Sequence, residues 1–80
     1  MNSVTVSGTV TELPKQIKLA SGRIKAVFTV TESLETYEIE AWGKLAELAL
    51  KYLIKGSRVS VSGKKSATVI EAISIALVPS

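Results

Sequence analysis

The stretch from residue 37 to residue 63 changes its hydrophobic period twice, which limits the folds open to the chain. Tyr37, Ile39 and Ala41 alternate with glutamates, the pattern typical of a half-buried strand. Apolar residues then recur at helical spacing, and the predicted stripe is Leu45, Leu48, Ala49, Tyr52 and Leu53. We expect this helix to stop at Gly56, and a second alternating strand to end at Gly63. The centre of the chain is therefore predicted to be strand, helix, turn, strand.

Further strands flank this centre. In the strand predicted from Asn2 to Val10, valines alternate with hydroxyl residues, and Gly8 in mid-strand predicts a bend of the kind found at barrel corners. Residues 15–19 are compatible with a strand or a loop, Ser21-Gly22 predicts a hairpin turn, and residues 24–30 alternate as a second strand. Residues 31–36 are expected to form the connection between the second and third strands. Residues 63–66 are expected to form a turn, and residues 68–78 the last strand.

The order of three strands, one helix and two strands is the layout of an all-β, five-stranded Greek-key barrel, the OB-fold. We expect one such domain over residues 1–80, with the helix between the third and fourth strands. A small α+β sheet with one covering helix is the alternative from pattern alone.

Composition excludes several function classes. The chain has no Cys and no His, which removes disulfides, thiolate metal sites and the usual general base. We therefore expect no enzyme activity, no cofactor and no metal. No apolar run is long enough for a bilayer, so a cytoplasmic location without membrane contact is expected. The net charge of +3 permits a polyanionic partner without requiring one.

Trp42 is the only tryptophan and the main functional clue. Because it follows Ala41, it should lie on the outer face of the strand with Glu38 and Glu40. An exposed tryptophan on a sheet is suited to stacking on a nucleic-acid base. The alternative is packing under a loop or in an oligomer interface, where tryptophan is also enriched.

Cations form two groups along the chain. The first surrounds the first hairpin and contains Lys15, Lys18, Arg23 and Lys25; the second surrounds the fourth strand and its turn and contains Lys55, Arg58, Lys64 and Lys65. In an OB-fold these two regions would flank one cleft and form a groove for a phosphate backbone. Arg23, Lys64 and Lys65 are the strongest candidates, since they are predicted at turn tips. A generic solvated surface is the alternative for any one of them.

A further set of residues, spread over most of the chain, forms a specific signature: Met1-Asn2-x-Val4, Gly8, Pro14, Ser21-Gly22, Ala26, Phe28, Gly43-Lys44-Leu45-Ala46-Glu47, Ala49, Tyr52-Leu53, Lys55-Gly56-Ser57, Val59, Val61 and Gly63. With these residues the chain resembles the bacterial single-stranded DNA-binding protein family. A shortened relative, the primosomal replication protein n type, is similar as well. The resemblance implies an OB-fold, homo-oligomers and sequence-tolerant binding of single-stranded DNA, with Trp42 at an aromatic position on the DNA-facing surface. The family's two long arms are reduced here to residues 31–36 and 64–67, Thr36 stands where a stacking tryptophan is usual, and Glu38 stands where a basic residue is common.

These observations predict non-sequence-specific binding of single-stranded DNA, or of RNA, in an accessory role in replication, repair or recombination. A nucleoid-associated location in the cytoplasm is expected with that role. The predicted nucleic-acid-binding residues are Trp42, Arg23, Lys25, Arg58, Lys64, Lys65, Lys15 and Lys18. The first strand is expected to pair across a two-fold axis in a homodimer or homotetramer, with replication or restart proteins as further partners. The alternative is an OB-fold interaction or primosome adaptor module whose DNA binding is weak or lost.

Overall fold

The computed structural model describes residues 2–79 as six strands and one helix. The strands are β1 (Asn2–Val10), β2 (Lys15–Lys18), β3 (Ile24–Glu32), β4 (Glu35–Trp42), β5 (Arg58–Ser66) and β6 (Val69–Leu77), with helix α1 (Gly43–Tyr52) between β4 and β5. The sequence pattern of residues 15–19 was compatible with a strand or a loop, and the segment contains the short strand β2. The described part of the chain has no helix of sufficient length and hydrophobicity to cross a membrane.

The strands close into a barrel. Their order is β1-β5-β6-β4-β3-β2, and β1 also pairs with β3 at Thr9 and Val10. Five strands therefore form a closed ring, and β2 is added on the outer edge of β3. β4 and β6 pair in parallel, whereas the other described pairs are antiparallel. This is the arrangement of an OB-fold, which confirms the predicted architecture.

Apolar residues from every barrel strand and from α1 fill the interior. Those with the largest fully buried side chains are Ile39, Ile70, Val10, Val30, Val59 and Val61. No polar or charged side chain of residues 2–79 is buried. All functional polar groups must therefore act from the surface.

Gly8, at which the sequence predicted a bend, lies where β1 changes its partner from β5 to β3. A Cβ atom on Gly8 would lie 2.2 Å from the carbonyl oxygen of Thr31. Real side chains do not tolerate such an approach to backbone, so the two strands meet here only because residue 8 has no side chain.

The predicted apolar stripe of the helix is partly wrong. The residues that α1 buries are Ala46 and Ala49, whereas Leu48 and Tyr52 are about half exposed. Small side chains let the helix lie close to the barrel, with Leu45 and Leu50 also packed against the core, whereas Leu48 and Tyr52 remain on its flank. The helix also ends earlier than predicted, since Leu53 is already extended and its N–H donates to the Ala49 carbonyl. Gly56 has φ of +92° in the turn that follows rather than at the helix end.

The predicted turn at residues 63–66 is wrong as well. β5 continues to Ser66, and the turn is formed by Ala67 and Thr68. The strand continues because Lys64 and Lys65 pair with β1 on one side and β6 on the other. Likewise, the expected connection at residues 31–36 is mostly strand, and only residues 33 and 34 form its turn.

A β-bulge in β6 changes which of its residues face the core. Ser62 lies opposite Ser74 but Gly63 lies opposite Ala72, so Ile73 has no partner of its own. The prediction placed Ile73 on one face with Ile75 and Leu77, and Ala72 on the other. Instead, Ala72 is buried, Ile75 packs against the core, and Ile73 is 60% exposed. The extra residue reverses the alternation, which a period-2 pattern cannot anticipate.

Candidate nucleic-acid interface

Trp42 ends β4 and occupies the N-cap position of α1, without a capping hydrogen bond from its side chain. Its backbone is extended, with φ of −118° and ψ of 155°, so it continues the alternation of the strand. Ile39 and Ala41 are buried, and Glu38, Glu40 and Trp42 therefore share the outer face. The indole is half-buried there.

Two cations lie over the Trp42 ring. The guanidinium carbon of Arg23 is 4.3 Å from the ring centroid, and Lys25 Nζ is 5.6 Å from it. Lys25 is the direct cross-strand partner of Trp42. Arg23 comes from the β2–β3 turn, which is held by hydrogen bonds from the Leu19 N–H to the Arg23 carbonyl and from the Gly22 N–H to the Leu19 carbonyl. The result is an aromatic platform with positive charge at its surface, the usual geometry of cation–π contact.

Lys25 also forms an ion pair with Glu40 on the neighbouring strand. The Nζ–Oε2 distance is 3.1 Å, and the two side chains are only 21% and 24% exposed. Such a pair contributes about 0.2–1 kcal/mol near a surface. Its more important effect is on the site, because it keeps Lys25 beside Trp42 while neutralising part of the charge available for a phosphate.

One row of aligned residues crosses the outer face of the sheet and shows how its charge is distributed. It runs in strand order through Lys15, Val27, Glu40, Glu71 and Lys64. Glu38 lies on the same face in the adjacent row. An acidic band on β4 and β6 therefore separates the cations beside Trp42 from Lys64 on β5.

The structure brings together some of the predicted site residues and separates others. Trp42, Arg23 and Lys25 are in contact, and Lys15 lies one row away on the same face. Lys18 aligns with Ile24, which packs against the core, so it belongs to the opposite face of the β2–β3 hairpin.

The cations of β5 are more distant from Trp42. Arg58 pairs with Thr9, which also pairs with Thr31, at the end of β3 opposite Lys25. Lys64 and Lys65, expected side by side at a turn tip, are strand residues on opposite faces. Lys65 Nζ is 5.9 Å from the centroid of the Tyr37 ring.

Sequence reasoning missed two apolar members of this surface. Ile17 aligns with Lys25 and Trp42, and Val27 aligns with Lys15 and Glu40. Ile17 is 41% exposed. Their position depends on the pairing of β2 with β3, for which the weak strand pattern of residues 15–19 gave no register. No group of three metal-ligating side chains occurs within residues 2–79.

A closed five-stranded barrel with one helix between β4 and β5 belongs to the OB-fold class. In agreement, the model of the single-strand binding protein family matches residues 1–72, and the chain belongs to that family. The family consists of non-enzymatic DNA-binding proteins, which confirms the prediction that the chain is not an enzyme. A comparison with curated proteins finds no match to the chain.

Proposed function

We propose that the protein binds single-stranded DNA without sequence preference, by stacking a base on Trp42 while Arg23, Lys25 and Lys15 contact the phosphate backbone. The observation that carries this proposal is the half-buried Trp42 ring with Arg23 at 4.3 Å and Lys25 at 5.6 Å, in a chain of the single-strand binding family. Every base has a π-face, so stacking on an indole does not select a sequence. RNA would satisfy the same contacts.

In the free protein Arg23 covers the ring face that a base requires. An incoming base therefore displaces the guanidinium, which then contacts a phosphate or stacks on the other side of the base. Arginine is suited to both roles, because its guanidinium is planar and forms bidentate hydrogen bonds with phosphate oxygens. The acidic band of Glu38, Glu40 and Glu71 repels phosphate and directs the strand along the β2–β3 side of Trp42.

The test is a titration with oligo-dT at low and moderate salt. Stacking should quench the Trp42 fluorescence, and the affinity should fall with salt by a log–log slope of about −0.7 for each phosphate neutralised. Labelled oligo-dT and anisotropy extend the test to Trp42→Ala, which should lose roughly tenfold or more in affinity. Arg23→Ala should weaken binding more than Arg58→Ala, although both remove one positive charge. Equal effects of the two arginine variants, or no quenching at low salt, would contradict the proposal.

The acidic band favours a second candidate, an adaptor module with weak or lost DNA binding. Three carboxylates beside the platform, on Glu38, Glu40 and Glu71, oppose a polyanion. An adaptor would show no salt-dependent quenching by oligo-dT, and Trp42→Ala would instead weaken binding to a replication or restart protein. We place the DNA-binding candidate first because Arg23 and Lys25 lie directly over the ring.

We further propose that β1 pairs with β1 of a second copy in a homodimer. Residues from Asn2 to Gly8 pair with β5 alone, since β3 reaches β1 only at Thr9 and Val10. Within residues 2–79, no strand pairs with the other edge of this segment, so that edge is available to a strand of a second copy. The outer side chains of β1 are hydroxyls, which suit a closely packed two-fold contact. Sedimentation equilibrium should give twice the chain mass of 8.5 kDa, or four times if two dimers associate; a monomer would contradict the proposal.

A further inference from the structure

An apolar groove lies between α1 and the end of β6, away from the Trp42 platform. It has a volume of about 260 Å³ and is lined by Leu48, Ala49, Tyr52, Leu53, Ile75 and Leu77. Leu48, Tyr52 and Leu77 are each about half exposed. Contiguous apolar surface of this kind on a small protein is typical of an interaction site.

The rim of this groove carries a net positive charge. Lys44 and Lys51 lie with Leu48 and Tyr52 on the exposed side of α1, where the two lysines outnumber the one carboxylate, Glu47. Lys51 Nζ is 5.3 Å from the Tyr52 ring centroid. Neither lysine forms a salt bridge with a carboxylate of residues 2–79. The groove is therefore suited to an apolar side chain with acidic neighbours.

The chain presents such a side chain at the tip of its β3–β4 hairpin. Leu34 is 98% exposed, the most exposed large hydrophobic residue among those described. It follows Ser33, whose φ of 55° forms the tight turn, and the flanking Glu32 and Glu35 are exposed. Leu34 contributes nothing to its own core, and water contact with it is unfavourable.

The hairpin tip and the groove lie at opposite ends of the barrel. β4 leads from the tip at Glu35 to Trp42, where α1 begins. β6 runs parallel to β4, with Glu38 opposite Val69, so Leu77 is at the end remote from the tip. Leu34 therefore cannot enter the groove of its own chain.

We infer that Leu34 of one copy inserts into the α1–β6 groove of a second copy, with Glu32 and Glu35 facing Lys44 and Lys51. The contact joins two different surfaces, so it is heterologous and leaves a free tip and a free groove at the ends. It can extend into a row of copies, unlike a closed two-fold pair.

The first experiment is sedimentation equilibrium over a wide concentration range. The average molar mass of the wild-type protein should rise with concentration beyond the mass of the closed dimer or tetramer. Leu34→Ser and Leu48→Ser should each lower the association constant roughly tenfold or more, because each removes an apolar group from the contact. Leu13→Ser is the matched control, since Leu13 is 64% exposed but lies in the loop between β1 and β2. Circular dichroism checks that each variant is folded.

A charge exchange tests the pairing itself. The double variant Glu32→Lys with Glu35→Lys should abolish the rise of average mass with concentration. The double variant Lys44→Glu with Lys51→Glu should do the same. A mixture of the two variants should associate again, because each then offers the charges that the other lacks. Concentration-independent mass for wild type, unchanged association of Leu34→Ser, a loss on Leu34→Ser without a loss on Leu48→Ser, or no recovery in the mixture would overturn the inference.

Discussion

The guanidinium of Arg23 stacks on the ring of Trp42 at 4.3 Å, joining the β2–β3 turn to the end of β4. Arg23 has no ion pair with a carboxylate of residues 2–79, so this contact is what holds its position. In the free protein, the Arg23 guanidinium therefore covers one face of the Trp42 ring.

Removing the cover should expose the indole. Arg23→Ala should raise the quenching constant of Trp42 by acrylamide, a neutral quencher that does not respond to the lost charge. Arg58→Ala should leave it unchanged, because Arg58 lies at the other end of β3. Equal quenching of Arg23→Ala and wild type would show that the guanidinium does not cover the ring in solution.

Glu40 should oppose DNA binding. Glu40→Gln releases Lys25 from its ion pair and removes a negative charge next to the platform, so the affinity for oligo-dT should rise roughly two- to fivefold. Glu47→Gln makes the same change of charge on the exposed side of α1 and serves as the control. Anisotropy at low salt measures both, and a similar rise for the two variants would indicate a general charge effect only.

Gly8 should be essential for barrel closure. Gly8→Ala forces a Cβ atom to within 2.2 Å of the Thr31 carbonyl oxygen unless the strands separate. We expect a loss of about 1–3 kcal/mol in the free energy of unfolding, measured with urea. Ser3→Ala on the same strand should change it by less than about 0.5 kcal/mol. A tolerated Gly8→Ala would mean that β1 and β3 do not meet closely at this point.

The turn between β5 and β6 should be open to stabilisation. Ala67 has φ of 55°, a conformation that costs a residue with a Cβ atom about 1–2 kcal/mol and glycine nothing. Ala67→Gly should therefore raise the free energy of unfolding by about 1 kcal/mol. Ala76→Gly, in β6 and without positive φ, should lower it by about 0.5–1 kcal/mol. The opposite order of the two variants would contradict the turn geometry.

The sequence predicted the barrel because its strongest patterns are local. The switch from Tyr37, Ile39 and Ala41 to a helix specifies the central part of the chain, and Gly8 specifies the bend. The helix stripe was less predictable, since the neighbouring arcs that contain Ala46 and Leu48 are both apolar. Which arc faces the barrel depends on how closely α1 packs, and the alanines decide it.

Tertiary pairing explains the remaining differences. Gly63, Lys64 and Lys65 are typical of a turn, but ladders on both sides hold them in β5. The outer position of Trp42 followed from alternation alone. The stacking of Arg23 did not, because it depends on the register of β2, β3 and β4, which no single segment contains. The same applies to the acidic band, whose members Glu40 and Glu71 are neighbours only through the parallel pairing of β4 with β6.

The two-residue turns at Ser33–Leu34 and Ala67–Thr68 have a consequence for how such a barrel can change. Closure occurs through β1–β3 and β4–β6, and neither turn takes part in those pairings. Lengthening a loop is inexpensive, since each doubling adds only about 0.6 kcal/mol of closure entropy. Extra sequence inserted at either tip would be carried as an appendage, and its removal would leave the barrel intact. The two hairpin tips can therefore change in length independently of the barrel. A long arm that wraps a ligand and a short two-residue turn are both compatible with the same strand pairings.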